Sequence, residues 1–395
     1  MLNRRIFLFL VCTLSALNFR VNSQSFGEKL KSQYILLYNI ESDSILYSKN
    51  ADKICYPASI TKIMTFLTIF LLGKFDKNEK ITIKEEILKS FNGTDSSLAN
   101  LVVGKSYSVR DLLISMMVLS GNDSAAVLAD YFGNKIGSGT DDFVSQMNKN
   151  AIEIGCQNTH FTNPHGLHND QHYSTCLDLL KIINKALEIK EFREIVKMQS
   201  IELDDEIGYN TNKLLDPKSK YFYDKCYGIK TGHHDQAGFC LSSIAGDGTT
   251  NYICLCLKAP TCDEKGNTID ENYAMLESRE LYEWAFNNFK LVKYPIEHLK
   301  FPNISTNRFE IPIELTTNLC NFLIPINNKP HEIKYVLDID KKINYNFPIL
   351  AGNKFGSISF YCRDKFLGSR DIVSKNNIKL NFWAKFRFLM MKFFC

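Results

Sequence analysis

The stretch Pro57-Ala58-Ser59-Ile60-Thr61-Lys62-Ile63-Met64-Thr65 (PASITKIMT, residues 57–65) opens a run, Ser59 to Leu72, that is apolar on nearly every side. A helix without a polar face has to sit inside a core. Two polar groups nevertheless stand in its first turn, Ser59 and Lys62, and residues three apart share a helix face, so hydroxyl and amine can meet. A serine hydroxyl is a poor nucleophile until a neighbour takes its proton. Lysine can do this only if its pKa falls from about 10.4, which burial and nearby positive charge both achieve. The neighbours Ile60, Ile63, Met64 and Phe66 are apolar, so Lys62 is predicted to be partly desolvated. The helix start also places positive dipole near Ser59, where an oxyanion develops. Chance produces Ser-x-x-Lys often at surface helix starts, so the pair needs company.

Outward from this run, the chain divides into regions. Ser32 to Ser48 reads as strand, turn and strand. Residues 100 to 190 are largely helical by periodicity, as in Leu112, Leu113, Met116 and Met117. Strand-like runs follow at Gly238 to Ile244 and Tyr252 to Leu257, then a helix from about Ala274 to Phe289. Around Lys293-Tyr294-Pro295 the character changes to short alternating stretches; Ile333, Tyr335, Leu337 and Ile339 alternate with Lys334, Val336, Asp338 and Asp340. That pattern predicts a small all-β sandwich, with residues 24–290 and 291–376 as separate domains.

Two further short motifs lie in these regions. Ser120-Gly121-Asn122 falls between helix-like stretches and offers a hydroxyl for proton relay and an amide for substrate; a serine–glycine turn with an Asn cap is the plain alternative. Lys230-Thr231-Gly232 leads toward a strand, where a cation and a hydroxyl on an exposed edge can hold a carboxylate and glycine leaves room for substrate. In this order, Ser-x-x-Lys, Ser-x-Asn and Lys-Thr-Gly follow the signature of penicillin-binding proteins and related β-lactamases. PASITKIMT (57–65), VGKSYSVRDLLISMMVLSGNDSAAVLADYFG (103–133), NTHFTNPHGLH (158–168), YGIKTGHHDQAGFCL (227–241) and ESRELYEWAFNNF (277–289) resemble the low-molecular-mass D,D-carboxypeptidase family.

The resemblance implies an α/β catalytic domain of the penicillin-binding/β-lactamase type, an antiparallel sheet flanked by helices with a helical subdomain. It implies a serine D-alanyl-D-alanine carboxypeptidase that trims peptidoglycan stem pentapeptides through an acyl-enzyme, serves cell-wall synthesis and cell shape, and is inhibited by β-lactams such as penicillin. Ser59 is then the nucleophile, Lys62 its general base and Ser120 the proton relay to the leaving D-alanine. Asn122 orders Lys62 and the substrate amide, Lys230 supplies positive potential and Thr231 binds the terminal carboxylate. Gly232 clears the strand edge, and the backbone N–H groups of Ser59 and His233 form the oxyanion site. No metal or cofactor is implied.

The chain departs from the family pattern at two arginines that members often use for the substrate carboxylate. The stretch before the closing helix reads Asn272-Tyr273-Ala274-Met275, with Arg279 the nearest arginine, and Thr211 stands in Asn210-Thr211-Asn212 upstream of Lys-Thr-Gly.

Other readings are a D,D-endopeptidase, a non-catalytic penicillin-binding protein, a β-lactamase using Glu153, Glu188 or Glu191, and a zinc peptidase using His165, His168 and His172. The histidines sit around a Pro-Gly turn without an acidic partner at ligand spacing, and no glutamate stands in a recognisable loop motif.

The ends place the chain. Arg4 and Arg5 precede an apolar run from Ile6 to Leu17, and Val21-Asn22-Ser23 offers small residues for cleavage; residues 1–23 are predicted to be a secretory signal, an uncleaved anchor being the alternative. Residues 377–395 mix Phe382, Trp383, Phe386, Phe388, Phe393 and Phe394 with Lys379, Lys385, Arg387 and Lys392. That run is too short and too charged to span a bilayer, and it is predicted to be an amphipathic helix lying on the membrane surface. The enzyme is therefore expected at the periplasmic face of the inner membrane. Over 395 residues the net charge is only +4, and no zinc-finger spacing or phosphate-cradling loop occurs, so nucleic acid is not an expected partner. Twelve cysteines, eleven once Cys12 leaves with the signal, include no Cys-x-x-Cys. Cys254 and Cys256 are predicted to share one strand face as small apolar residues.

Overall fold

The computed structural model describes residues 29–94, 96–305, 312–318, 320–339 and 348–378. The chain forms a hairpin of β1 (Tyr34–Asn39) and β2 (Ser44–Lys49), then a 3-10 turn (Ala58–Thr61) that leads into α1 (Lys62–Leu71). A small hairpin of β3 (Lys80–Thr82) and β4 (Ser106–Ser108) encloses the short α2 (Glu85–Lys89). Four longer helices follow: α3 (Val109–Val118), α4 (Asn122–Ile136), α5 (Thr140–Ile154) and α6 (Cys176–Leu187), then the short α7 (Lys190–Ile195). Hairpin β5 (Ser200–Leu203) and β6 (Glu206–Tyr209) precedes β7 (Cys226–His234), β8 (Gly238–Gly246), β9 (Asn251–Ala259) and α8 (Tyr273–Asn288).

The central sheet is antiparallel and ordered β2-β1-β9-β8-β7. All six residues of β1 are buried, because β1 lies inside the sheet and helices cover both of its faces. Alternation sorts its side chains. Leu36 and Tyr38, with Ile253, Leu255 and Leu257, face the core built on α1 and the helical region. Ile35 and Leu37, with Cys254 and Cys256, face Leu281, Tyr282 and Ala285 of α8. Each large apolar side chain so buried contributes roughly 1.5–3 kcal/mol.

Helix starts are fixed locally. Ser108 and Asp111 form a capping box at the start of α3, and Thr175 caps α6 by accepting from the Asp178 N–H; each such cap is worth about 1 kcal/mol.

Beyond α8 the described residues form strands joined by loops and two short 3-10 turns (Ile296–His298 and Pro330–Glu332): β10 (Phe289–Tyr294), β11 (Ile304–Ser305), β12 (Pro312–Ile313), β13 (Leu315–Thr317), β14 (Cys320–Pro325), β15 (Ile333–Ile339), β16 (Lys354–Cys362) and β17 (Lys365–Ser374). The β10–β14 ribbon packs on a four-stranded sheet, ordered β13-β17-β16-β15, around Val292, Phe322, Ile324, Ile358, Phe360 and Ile372. Two bonds tie this part to the β1–β2 turn: Asn321 donates to the Glu41 carbonyl and Arg370 to the Ser42 carbonyl.

Three local expectations change. Lys230-Thr231-Gly232 lies within β7 rather than ahead of a strand. The Ser-x-x-Lys helix opens as a 3-10 turn before α1 begins at Lys62. Ile378 forms a β-bridge with Ile349, so residues 377 and 378 are extended and not the start of a helix; the remainder of that predicted segment, and residues 1–23, lie outside the described residues. Among the described residues no helix is long and apolar enough to cross a membrane. Their ten cysteines are unpaired, and Cys254 and Cys256 are buried with sulfurs 3.7 Å apart.

Candidate active site

Ser59 sits in the 3-10 turn at the mouth of the core, half-buried, one residue after Ala58, whose φ of 47° is left-handed. Lys62 opens α1 beneath it and is fully buried. Its Nζ lies 2.8 Å from Ser59 Oγ, 2.5 Å from Asn122 Oδ1 and 2.8 Å from the His165 carbonyl oxygen. Burial drives the Lys62 pKa well below the usual lysine value, and the nearby Lys230 cation adds to that; Asp123 opposes both.

Asn122 begins α4, after the turn that holds Ser120. Ser120 is buried and has a φ of 64°; no hydrogen bond joins its hydroxyl to Ser59, Lys62 or Lys230 among the described residues. Two contacts fix this turn. The Asn122 N–H donates to the Ser97 carbonyl. The buried Asp123 carboxylate accepts from the N–H groups of Ala99 and Leu101 at 2.9 and 3.2 Å.

The third motif comes from β7, the sheet edge, which runs against the turn carrying Ser59. A Cβ at Gly232 would meet the Ser59 nitrogen and the Pro57 carbonyl oxygen at 3.0 Å, so only glycine lets the strand lie this close. Lys230 is buried, donates to the Thr231 carbonyl at 3.1 Å and has its pKa pushed down by burial to about 7. Thr231 Oγ1 lies 2.6 Å from Thr211 Oγ1. His233 is exposed, its ring tilted against Phe239.

Ser59, Lys62 and Asn122 are thus in direct contact, with Gly232 against the nucleophile and Lys230 close enough to act on Lys62. Ser120 adjoins them through the turn; Thr231 and His233 follow along the edge.

Sequence reasoning missed the Pro164-His165-Gly166 loop as part of the site. Thr65 donates to the Pro164 carbonyl at 2.5 Å, one turn along α1 from the Lys62 bond to the His165 carbonyl. Gly166 has a φ of 91°, and a Cβ there would lie 1.9 Å from the Ala58 carbonyl oxygen. The Pro-Gly pair signals a turn, but nothing in a residue name tells where its carbonyls point.

The histidines suggested as metal ligands are otherwise engaged. The half-buried His165 ring lies edge-on against Phe91, and desolvation lowers its pKa to about 3. His172 Nδ1 accepts from the Thr162 N–H, which leaves Nε2–H to donate to Thr61. His168 meets Tyr56 edge-on, and its Nε2 lies 3.3 Å from Asp170 Oδ1. Among the described residues no group of three or more His, Cys, Asp or Glu converges as metal ligands. Glu188 pairs with Lys185 and Glu191 with Lys77, while Glu153 is exposed; none contacts Ser59 or Lys62. Arg279 donates to the Lys220 carbonyl and lies 3.9 Å from Glu283.

A family model described as D-alanyl-D-alanine carboxypeptidase matches residues 20–261. The chain is 29% identical to the D-alanyl-D-alanine carboxypeptidase DacA of Haemophilus influenzae, over 94% of this chain and 92% of that one. It is 27% identical to DacF of Bacillus subtilis, over 87% and 85%. Its structure resembles penicillin-binding protein 5 of Haemophilus influenzae with a TM-score of 0.75 at 28% identity, covering 89% of this chain and 98% of that chain. Penicillin-binding protein 6B of Escherichia coli follows with a TM-score of 0.66 at 26% identity, over 88% and 96%. The sheet with helices on both faces, the site at its edge and a family match over the greater part of the sequence agree: the chain belongs to the D-alanyl-D-alanine carboxypeptidase family.

Proposed function

We propose that in this serine D-alanyl-D-alanine carboxypeptidase Ser59 is the acylated nucleophile and Lys62 its general base. The observation that carries the assignment is the set of three partners on the Lys62 amine. A neutral amine has two N–H groups and one lone pair. The Asn122 oxygen and the His165 carbonyl can only accept, so they take the two N–H groups, and the lone pair is left facing the Ser59 hydroxyl. Burial and the Lys230 cation, which lower the Lys62 pKa, favour that neutral form.

Ser59 then attacks the carbonyl of the penultimate D-alanine as its proton passes to Lys62. The Ser59 N–H, among the first of a helical turn and so without a partner inside it, and the His233 N–H on the edge strand β7 are suited to the oxyanion. The C–N bond breaks, Ser120 passes a proton to the departing D-alanine, and water hydrolyses the ester. Asn122 holds Lys62 and the substrate amide; Lys230 and Thr231 receive the terminal carboxylate. Peptidoglycan stem peptides are the substrate class, and β-lactams acylate the same serine.

We further propose that the chain acts outside the cytoplasmic membrane and is held to its surface. Support comes from the basic and apolar start, the aromatic and cationic stretch after residue 378, and the location of this substrate.

The test is intact mass against time with benzylpenicillin. An adduct is expected on the natural protein and none on Ser59→Ala, with D-alanine release lowered at least about 10³-fold in the variant. An equal adduct on both proteins would remove Ser59 from this role, and rapid loss of the adduct with hydrolysed drug in solution would favour a β-lactamase.

A further inference from the structure

Thr211 lies twenty residues before Thr231, yet their hydroxyls are 2.6 Å apart. The segment that carries Thr211 is held from three sides. Its own N–H donates to the Val118 carbonyl at the end of α3. On either side, the buried Asn210 and Asn212 donate from their side chains to the carbonyls of Met198 and Gly228. The Thr211 hydroxyl is therefore fixed against β7, in the seat where the substrate's terminal group arrives.

A hydroxyl has one donor and two acceptor positions, whereas a guanidinium only donates. Two bonded hydroxyls can run in either direction. If Thr211 donates to Thr231, the Thr231 proton is free for a carboxylate oxygen. If Thr231 donates to Thr211, the Thr231 oxygen is free to accept an N–H. Among the described residues no arginine is hydrogen-bonded to Thr211 or Thr231; Arg279, on the closing helix, donates to the Lys220 carbonyl.

We propose that Thr211 is a positioning residue that sets which peptide termini this enzyme accepts: bonded to Thr231, it lets that hydroxyl serve either a terminal carboxylate or a terminal carboxamide, so peptides ending in D-alaninamide are cleaved alongside the free acids. The inference rests on the carboxypeptidase reading of the site. The bond changes are those of the parent reaction. The Ser59 ester forms, the C–N bond to the last residue breaks, D-alaninamide leaves with the proton shuttled from Ser59, and water hydrolyses the ester.

Removing the Thr211 hydroxyl discriminates between the two termini. A carboxylate still finds the Thr231 proton. When a carboxamide N–H occupies a Thr231 lone pair, the Thr231 proton needs an acceptor of its own, and Thr211 supplies it; its loss leaves that half-buried donor without a partner, which is costly.

The experiment measures kcat/KM of the full chain in detergent on bis-acetylated L-lysyl-D-alanyl-D-alanine and on its C-terminal amide, for the natural protein, Thr211→Val, Thr211→Ser and Thr211→Arg. We expect the natural protein to cleave the amide within about 10²-fold of the acid, the difference being the Lys230 charge that only a carboxylate uses. Thr211→Val should lose about tenfold on the amide and less than about threefold on the acid. Thr211→Ser should restore the natural ratio, and Thr211→Arg should shift it toward the acid by more than tenfold. Cleavage of the acid with exclusion of the amide by a thousandfold overturns the inference alone, as does an equal loss on both substrates in Thr211→Val. Failure of the natural protein to cleave either peptide overturns the carboxypeptidase reading and the inference with it.

Discussion

Two lysines, Lys62 and Lys230, are buried in one site, and among the described residues no carboxylate is hydrogen-bonded to either. Lys62 has to be neutral to take the Ser59 proton, and burial favours that. Lys230 has to be charged to attract a carboxylate, yet burial lowers its pKa to about 7. A lysine with a lowered pKa is charged below that value and neutral above it. For a carboxylate substrate, kcat/KM therefore rises with pH as Lys62 loses its proton and falls as pH passes about 7 and Lys230 loses its own. Because kcat/KM reports the free enzyme, Lys230→Met should lower the plateau about 10²-fold, abolish the alkaline limb and move the acidic limb to higher pH, since the charge that helps lower the Lys62 pKa is gone. A pH–rate profile of both proteins checks this, and an unchanged alkaline limb in the variant would assign it to another group. At this scale the Ser59 and Lys62 pair was legible only in company, because Ser-x-x-Lys alone is common by chance and gains meaning when Ser-x-Asn and Lys-Thr-Gly follow in order. The His165 carbonyl and the Thr211 hydroxyl were not. A backbone carbonyl has no residue signature, and a contact across twenty residues depends on tertiary packing.

Elements carry the next level of constraint. The loop around Gly166 presses on the turn that carries Ser59 and presents the carbonyl that Lys62 needs. Gly166→Ala adds a Cβ 1.9 Å from the Ala58 carbonyl oxygen at a φ of 91°, so either the loop or the nucleophile turn has to move. Acylation by benzylpenicillin is expected to slow by at least about tenfold, since small misplacements of catalytic groups are costly, with the melting temperature several degrees lower. Stopped-flow acylation and calorimetry measure both; a variant as fast as the natural protein would mean that the loop does not position Lys62. The apolar helix, β8, β9 and α8 were readable from periodicity. β7 was not, because Gly228, Lys230, Gly232, His233 and His234 break any apolar alternation. Its strand character comes from pairing with β8, and its polar residues are there for the site.

At the scale of the molecule, the change of character near residue 293 was visible, and the strands after α8 follow from alternation. Their arrangement was not visible, because pairing partners such as β13 and β17 are far apart in sequence. The surface attachment proposed above is tested here. A chain ending at residue 376 should move from the membrane fraction to the soluble fraction while D-alanine release stays within about twofold, since single amphipathic segments bind reversibly. Membrane recovery equal to that of the full chain would place the attachment elsewhere. The bonds from Asn321 and Arg370 to the β1–β2 turn bear on this in terms of reach. They brace the strand-rich part against the central sheet at a second place besides the α8–β10 join. If the chain is held to the membrane as proposed above, such a brace sets the height of Ser59 over the surface, and only the layer of wall that passes at that height is trimmed.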